Sequence, residues 1–154
     1  MARNFSKYIK QDAVYGPLSS TAKTDYSSQV DTANYEGVLF SALFKSTGAS
    51  TGHCTFTVVG TDTSTAASTS YTALNGASVT VENSTTANAK RVASIDCYRP
   101  QYRYLKAKVV KQAGIFLNAI LAQKYNPRVE PAEASTSYAG STAALSKVLC
   151  VEAT

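Results

Sequence analysis

Alternation of apolar side chains is strongest in "YEGVLFSALF", residues 35–44. A strand over this segment would be apolar on one face and largely apolar on the other. The first face would carry Val38, Phe40, Ala42 and Phe44, and the second Leu39, Ser41 and Leu43. Because both faces are mostly apolar, the pattern predicts a central strand of a sandwich with both faces mostly buried.

The next segment, "HCTFTVVG", alternates in the same way. Its expected inward residues are Cys54, Phe56 and Val58, and its outward residues are His53, Thr55 and Thr57. The linker "STGASTG" that joins the two segments is rich in glycine and serine, which is typical of a turn. We therefore predict a β-hairpin with a long turn over residues 35–60.

Three further elements follow. "ASVTVEN" is a short strand with Val79 and Val81 on one face, after a turn or single helical turn at residues 71–74. "RVASIDCY" and "YRYLKAKVV" are separate strands, because Pro100 cannot donate to a strand ladder. Their predicted inward residues are Ile95, Cys97, Leu105, Ala107 and Val109.

The run "IFLNAILAQKY" could be a helix or a strand. Flanking Gly114 and Asn126-Pro127 favour a strand. Its predicted faces are Leu117, Ala119, Leu121 and Tyr125 on one side, and Asn118, Ala122 and Lys124 on the other.

The chain ends differ from this pattern. Residues 1–33 are polar, with Gly16-Pro17 as a breaker, and predict an extended N-terminal arm. Residues 127–154 are rich in proline, alanine and serine, and predict a C-terminal arm that ends in the short strand "LSKVLCV". The expected fold is all-β: an antiparallel β-sandwich or jelly-roll-like domain over residues 34–126, with an extended arm at each end.

Charge is unevenly distributed along the 154 residues, whose formal net charge is +5. Residues 90–128 hold nine basic residues against one acidic residue, whereas residues 31–89 hold one against four. This distribution suits docking on an acidic partner or on another copy of the chain.

Sequence features of an enzyme are weak. His53 is the sole histidine, and its neighbour Cys54 would point to the opposite face of a strand. Cys54, Cys97 and Cys150 are too dispersed for a zinc site and predict buried thiols in a reducing compartment. No phosphate-binding loop is present. We expect a protein made in a reducing cytoplasm that is not an enzyme and has no cofactor, metal or membrane span, although paired carboxylates distant in sequence stay open.

The stretch "SIDCYRPQYRYLKAKVV" is the main binding candidate. Tyr102, Tyr104, Lys106 and Lys108 would share one strand face, with Arg103 on the other. Such a face could stack bases and neutralise phosphates, form a protein interface, or be plain surface. The interface is favoured over nucleic acid, and the predicted subunit-interface residues are Tyr102, Arg103, Tyr104, Lys106, Lys108, Tyr125 and Arg128.

Four segments together resemble small virion proteins of tailed bacteriophages. They are "VDTANYEGVLFSALF", "CTFTVVGTDTSTAAST", "VASIDCYRPQYRYLKAKVV" and "AILAQKYNPRVEP", within about residues 30–131. The resemblance implies a capsid decoration or cement protein, often trimeric, that sits on the outer surface of the virion and bridges neighbouring major capsid protein subunits. Alternatives are another virion component (tail, head–tail connector or coat protein), a single-stranded nucleic-acid-binding β-module, or a host-surface carbohydrate binder.

Overall fold

The computed structural model describes residues 9–48 and 52–128. These residues form nine strands and a 3₁₀ turn at Ser68–Ser70. The strands are β1 (Ile9–Tyr15), β2 (Lys23–Tyr26), β3 (Val30–Asp31), β4 (Tyr35–Ser46), β5 (His53–Thr61), β6 (Thr72–Glu82), β7 (Lys90–Tyr98), β8 (Tyr104–Lys111) and β9 (Ile115–Pro127).

The strands form two antiparallel sheets. Sheet A has the order β1-β9-β4-β7, and sheet B has the order β2-β8-β5-β6, with β3 also pairing with β8. The predicted all-β antiparallel sandwich is confirmed. In the described part of the chain, no helix has the length and apolarity needed to cross a membrane.

The core lies between the sheets and follows the predicted alternation. Phe40 of β4, Phe56 of β5 and Leu105 of β8 are fully buried in one apolar cluster. Ile95 is half-buried against this cluster, as is Val79. The confirmed inward residues are Val38, Phe40, Ala42, Phe44, Cys54, Phe56, Val58, Val81, Cys97, Leu105, Ala107 and Val109.

Strand β9 is confirmed, but its predicted faces are wrong beyond Leu117. Leu43 pairs with Ala119 and Phe44 pairs with Leu117, so Asn118 is an extra residue opposite β4. This β-bulge shifts the alternation by one position. The inward residues of β9 are therefore Ile115, Leu117, Ile120, Ala122 and Lys124.

The predicted hairpin of residues 35–60 is also wrong. β4 pairs with β7 and β9 in sheet A, whereas β5 pairs with β6 and β8 in sheet B. The chain thus crosses between sheets after β4, and the segment at Pro100 between β7 and β8 is another of its crossings. The turn expected at residues 71–74 ends earlier, because the 3₁₀ turn closes at Ser70 and β6 begins at Thr72.

The expected N-terminal arm does not hold for residues 9–31, which form strands β1, β2 and β3 of the sandwich. Val14 and Val30 belong to the core cluster. The backbone N–H of buried Ser27 donates to the Ala107 carbonyl of β8 at 2.8 Å, and the Ser27 hydroxyl accepts the Ala107 N–H at 2.9 Å. The sequence is polar here because these are edge strands that bury few side chains. The expected C-terminal arm falls outside the described residues from residue 129 onward.

We expect Gly60→Ala to lower the free energy of unfolding by about 1–3 kcal/mol, because overpacking forces neighbouring atoms to move. A Cβ at Gly60 would lie 2.6 Å from the Tyr102 ring and 2.8 Å from the Tyr102 Cβ. Gly16→Ala is the matched control, because nothing lies within 4 Å of its Cβ and its effect should stay within about 0.5 kcal/mol. Chemical denaturation measures both. Equal effects would contradict the close packing of Tyr102 on β5.

A second prediction concerns the buried thiols. Burial raises the pKa of Cys54 and of Cys97 to about 11, so little thiolate exists near pH 8. In a Cys150→Ala background, we expect Ellman's reagent to label neither thiol in the native protein within minutes and both after denaturation. Rapid native labelling would show that the sandwich opens around these residues.

Candidate binding surfaces

A polar cleft of about 750 Å³ lies at one end of the sandwich. It is formed where β3, β5, β7 and β9 end and where β4 and β8 begin. The connecting segments meet there because antiparallel strands return the chain to the same end of each sheet. The lining residues are Thr32, Ala33, Tyr35, Glu36, Asp62, Arg99, Pro100, Gln101, Tyr102, Arg103 and Arg128.

Arg103 is held in the cleft wall by two aspartates. Its guanidinium donates to both carboxylate oxygens of Asp31, at 3.0 and 2.9 Å, and its backbone N–H donates to Asp62 at 3.1 Å. The Arg103 hydrogen bonds hold the pKa of Asp31 below its ordinary value of 3.8. The Arg103 carbonyl accepts both the N–H and the hydroxyl of Thr32. The charge of Arg103 is therefore largely compensated within the chain.

The other two arginines of the cleft differ in their partners. Arg99, in the left-handed region at φ 46°, lies 3.5 Å from a carboxylate oxygen of Glu36. Its backbone N–H donates to the Glu36 carbonyl at 2.7 Å. The backbone N–H of Arg128 donates to Asn34 at 2.9 Å, but its guanidinium makes no ion pair with any residue the structure describes. Among the described residues, Arg128 is thus the cleft arginine whose guanidinium has no carboxylate partner.

Tyr102 does not share a strand face with Tyr104, contrary to the sequence prediction. It precedes β8 and packs over Gly60, half-buried against the end of the core. Arg103 also precedes β8 and so does not alternate with Leu105 as an inward residue. The strand begins only at Tyr104, because the bend after Pro100 breaks the alternation. The strand-face prediction holds for Tyr104, Lys106 and Lys108, which lie half-buried on the outer face of β8.

The basic residues along β8 contact tyrosines of the same chain. The Lys106 ammonium lies 4.7 Å from the ring centroid of buried Tyr71 and donates to Ser68 at 3.0 Å. The Lys108 ammonium lies 5.9 Å from the Tyr26 ring, and the Arg103 guanidinium 4.9 Å from the Tyr104 ring. Cation–π contacts of this kind stabilise the sheet surface and leave less ring surface for stacking on a base.

Tyr125 lies on the other sheet. Its hydroxyl donates to Asp96 at 2.7 Å and its ring covers Gly37. Burial and the neighbouring Asp96 carboxylate raise its pKa. The seven predicted interface residues are thus divided among the cleft (Tyr102, Arg103, Arg128), the outer face of β8 (Tyr104, Lys106, Lys108) and sheet A (Tyr125).

Sequence reasoning missed Tyr35, Asp62 and Arg99 as cleft residues. Each lies at the end of a strand or next to Pro100, so the predicted strand ends were the available signal. His53 and Cys54 point to opposite faces of β5, as expected. The described residues contain no group of three or more histidine, cysteine, aspartate or glutamate side chains that could hold a metal ion.

No family model and no curated protein sequence matches the chain. One solved structure that the comparison with known structures matches to this chain is described as "CBM4 structure and function". Its sequence identity is 6% and its TM-score is 0.39, and the match covers 64% of this chain and 56% of that chain. The chain thus spans little more than half the length of that structure. The sandwich assignment rests on the strands and sheets described above.

The Asp31–Arg103 pair predicts a pH-dependent stability difference between the wild type and Asp31→Asn. Because the folded-state pKa of Asp31 is depressed, its stabilisation is present above pH 3.8 and is lost as pH falls through the folded-state value. We expect the difference in unfolding free energy to be largest near pH 6 and to shrink below pH 4. Urea denaturation at several pH values measures it.

Arg103→Gln provides the control background for this prediction. Without the guanidinium, Asp31→Asn should have a smaller and flatter effect between pH 3 and pH 6. An equally steep pH dependence in both backgrounds would assign the depressed pKa of Asp31 to another contact, such as the Ala33 N–H that donates to it at 2.9 Å.

Proposed function

We propose that this chain is a structural virion protein that decorates and cements a bacteriophage capsid by bridging neighbouring major capsid protein subunits. In this role it acts on the capsid outer surface by binding and needs no catalytic group or cofactor.

Convergence of the four phage-like segments on one cleft carries this proposal. Every described residue that lines the cleft comes from one of those segments. The first supplies residues 32–36, the second Asp62, the third residues 99–103 and the fourth Arg128. Segments far apart in sequence thus build one continuous surface, which is what a shared docking function requires.

The charge arrangement supports docking on a folded polar surface. Arg99 forms an ion pair with Glu36 at 3.5 Å, and Arg103 forms one with Asp31 at 2.9 Å. These ion pairs position the two guanidinium groups before a partner binds. Preformed groups lose less conformational entropy on binding than mobile ones. Arg128 adds a positive charge that an acidic side chain of the shell can neutralise.

Cementing follows from mass action. A protein that binds the assembled shell, but not dissociated subunits, stabilises the shell by an amount that grows with its free concentration. A contact that spans two shell subunits links their dissociation, so modest affinity per site is amplified over many copies.

The direct test is binding to purified capsids of the phage that encodes the chain. We expect saturable binding of wild type to expanded capsids, none to dissociated capsid protein, and an increase in the temperature at which the capsids disrupt. Arg128→Ala should weaken binding about tenfold, because it removes the cleft arginine that has no carboxylate partner among the described residues.

Arg91→Ala is the matched control. Arg91 is an exposed arginine near the start of β7, the end of that strand opposite the cleft. We expect both variants to unfold like wild type and Arg91→Ala to bind capsids normally. If the wild-type protein does not bind expanded capsids, the proposal is wrong. Location at the tail or connector in only six or twelve copies per particle would favour the alternative virion role.

A further inference from the structure

The outer face of sheet A carries a patch of apolar side chains. Register places Ala119, Leu43 and Val92 in one row across β9, β4 and β7, and Leu121, Ser41 and Ser94 in a second row. Val92 is 67% exposed, and the leucines of both rows are half-buried. Among the described strands, the main contacts of β4 and β9 are with their neighbours in sheet A.

The outer face of sheet B carries fewer apolar side chains and serves as an internal comparison. Its corresponding rows are mainly threonine, serine and lysine. Both faces contain a hydroxyl–hydroxyl hydrogen bond, Thr57–Ser78 at 2.9 Å in sheet B and Ser41–Ser94 at 3.0 Å in sheet A. The rows contain Thr24, Val110, Thr55 and Thr80, and Tyr26, Lys108, Thr57 and Ser78. A solvated sheet face is expected to be polar, as in sheet B. The apolar face of sheet A therefore indicates a surface that is covered in the functional state.

Charges border the apolar rows asymmetrically. Lys45 and Lys90 are directly opposite one another at one end, and like charges in that position are unfavourable. The next row beyond the other end contains Asp96, paired with Leu39. The face thus has a cationic end and an anionic end.

We propose that the outer face of sheet A pairs with the same face of a second copy of this chain, about a two-fold axis that crosses the strands at the Ala42–Ala93 pair. A two-fold axis that lies between the two sheets and perpendicular to the strands stacks the sheets face to face. Each strand then lies over the same strand of the partner and runs antiparallel to it. It places Lys90 over the partner's Asp96 at both ends, because each lies three residues from Ala93. Lys45 would lie over the partner's Leu39, because each lies three residues from Ala42. A contact of this type uses the same surface on both copies.

Side-chain size is complementary about the same axis. Leu43 would face the partner's Ser41, Val92 would face the partner's Ser94, and Leu121 would face the partner's Ala119. A large side chain opposes a small one at each position, which is the arrangement that lets facing layers interdigitate. The self-complementarity of both size and charge favours a second copy over an unrelated partner.

The size of the face indicates a weak dimer. Four strands about 4.8 Å apart and nine residues of about 3.3 Å each give roughly 550 Å² in projection. A standard stable interface buries about 800 Å² per partner. We therefore expect dissociation in the micromolar range and a dimer, whereas the family resemblance implies a trimer. This inference does not depend on the proposed capsid role.

Sedimentation equilibrium of the full chain tests the inference. Wild type should change from monomer to dimer as concentration rises through the micromolar range. Val92→Lys places a charge at an exposed position of the apolar face and should weaken dimerisation at least tenfold. Thr80→Lys adds the same charge to the outer face of sheet B and should leave it unchanged.

Charge reversal tests the orientation. Lys90→Glu would face the partner's Asp96 and weaken the dimer, and adding Asp96→Lys to the same chain should restore it. Asp96→Lys also removes the acceptor of the Tyr125 hydroxyl. The unfolding free energy of each variant, measured at concentrations where it is monomeric, shows whether this loss impairs folding. Failure of the double variant to restore pairing, when its monomer folds normally, would overturn the proposed axis.

Other occupants give other results, and each would overturn the inference. A trimer insensitive to Val92→Lys would place self-association elsewhere. A wild-type monomer at all concentrations whose capsid binding is lost in Val92→Lys would assign the face to the shell. A monomer whose unfolding free energy falls with Val92→Lys would indicate that another segment of the same chain covers it.

Discussion

Burial of alternate β4 side chains between the sheets is the constraint on which the rest of the structure depends. Phe40 and Phe44 are essentially inaccessible to solvent, and burying an aromatic side chain of this size contributes about 2–3 kcal/mol. A slip of one residue would move both rings to the other face of the sheet. The registers with β7 and β9 are therefore fixed, and Leu39 and Leu43 are necessarily directed outward.

Local alternation in the sequence is sufficient to predict strands β4 to β9 and most of the core. The apolar inward residues Phe40, Phe56 and Leu105 are identified because period-two burial is a property of the segment itself. Buried Ser46 and Lys111, in the same phase, are not, because they are polar. Pro100 correctly separated β7 from β8, since proline cannot join a ladder. Asn118 was not recognised as a bulge, because an extra residue is defined only relative to the partner strand.

Strand pairing could not be predicted for the same reason. The glycine- and serine-rich linker favours a β4–β5 hairpin. Both strands are apolar enough to be central, however, and each is flanked by two other strands in its own sheet. Residues 9–31 were missed because an edge strand needs only an occasional buried side chain, such as Val14, and otherwise satisfies its backbone through pairing. Hydrophobicity alone does not identify such strands.

The candidate site was harder to predict than the fold because its contacts are long-range. Asp31 and Arg103 are 72 residues apart, and nothing in either segment indicates the other. The basic excess of residues 90–128 suggests one positive surface. However, β7 and β9 belong to sheet A, whereas β8 belongs to sheet B. Folding therefore distributes this charge over both sides of the sandwich and pairs part of it with tyrosines and carboxylates of the same chain.

A strand that is apolar on both faces can be explained in two ways, and β4 illustrates the difference. Such a strand can be covered on both faces by its own domain, or on one face by its domain and on the other by a partner. The sequence alone cannot distinguish these cases, whereas the structure covers the Phe40 face and leaves the Leu43 face beside solvent-exposed Val92. Conversely, Lys106 and Lys108, which looked like binding residues, lie over Tyr71 and Tyr26. Assembly through sheet A would thus use the residues whose sequence pattern most resembled core.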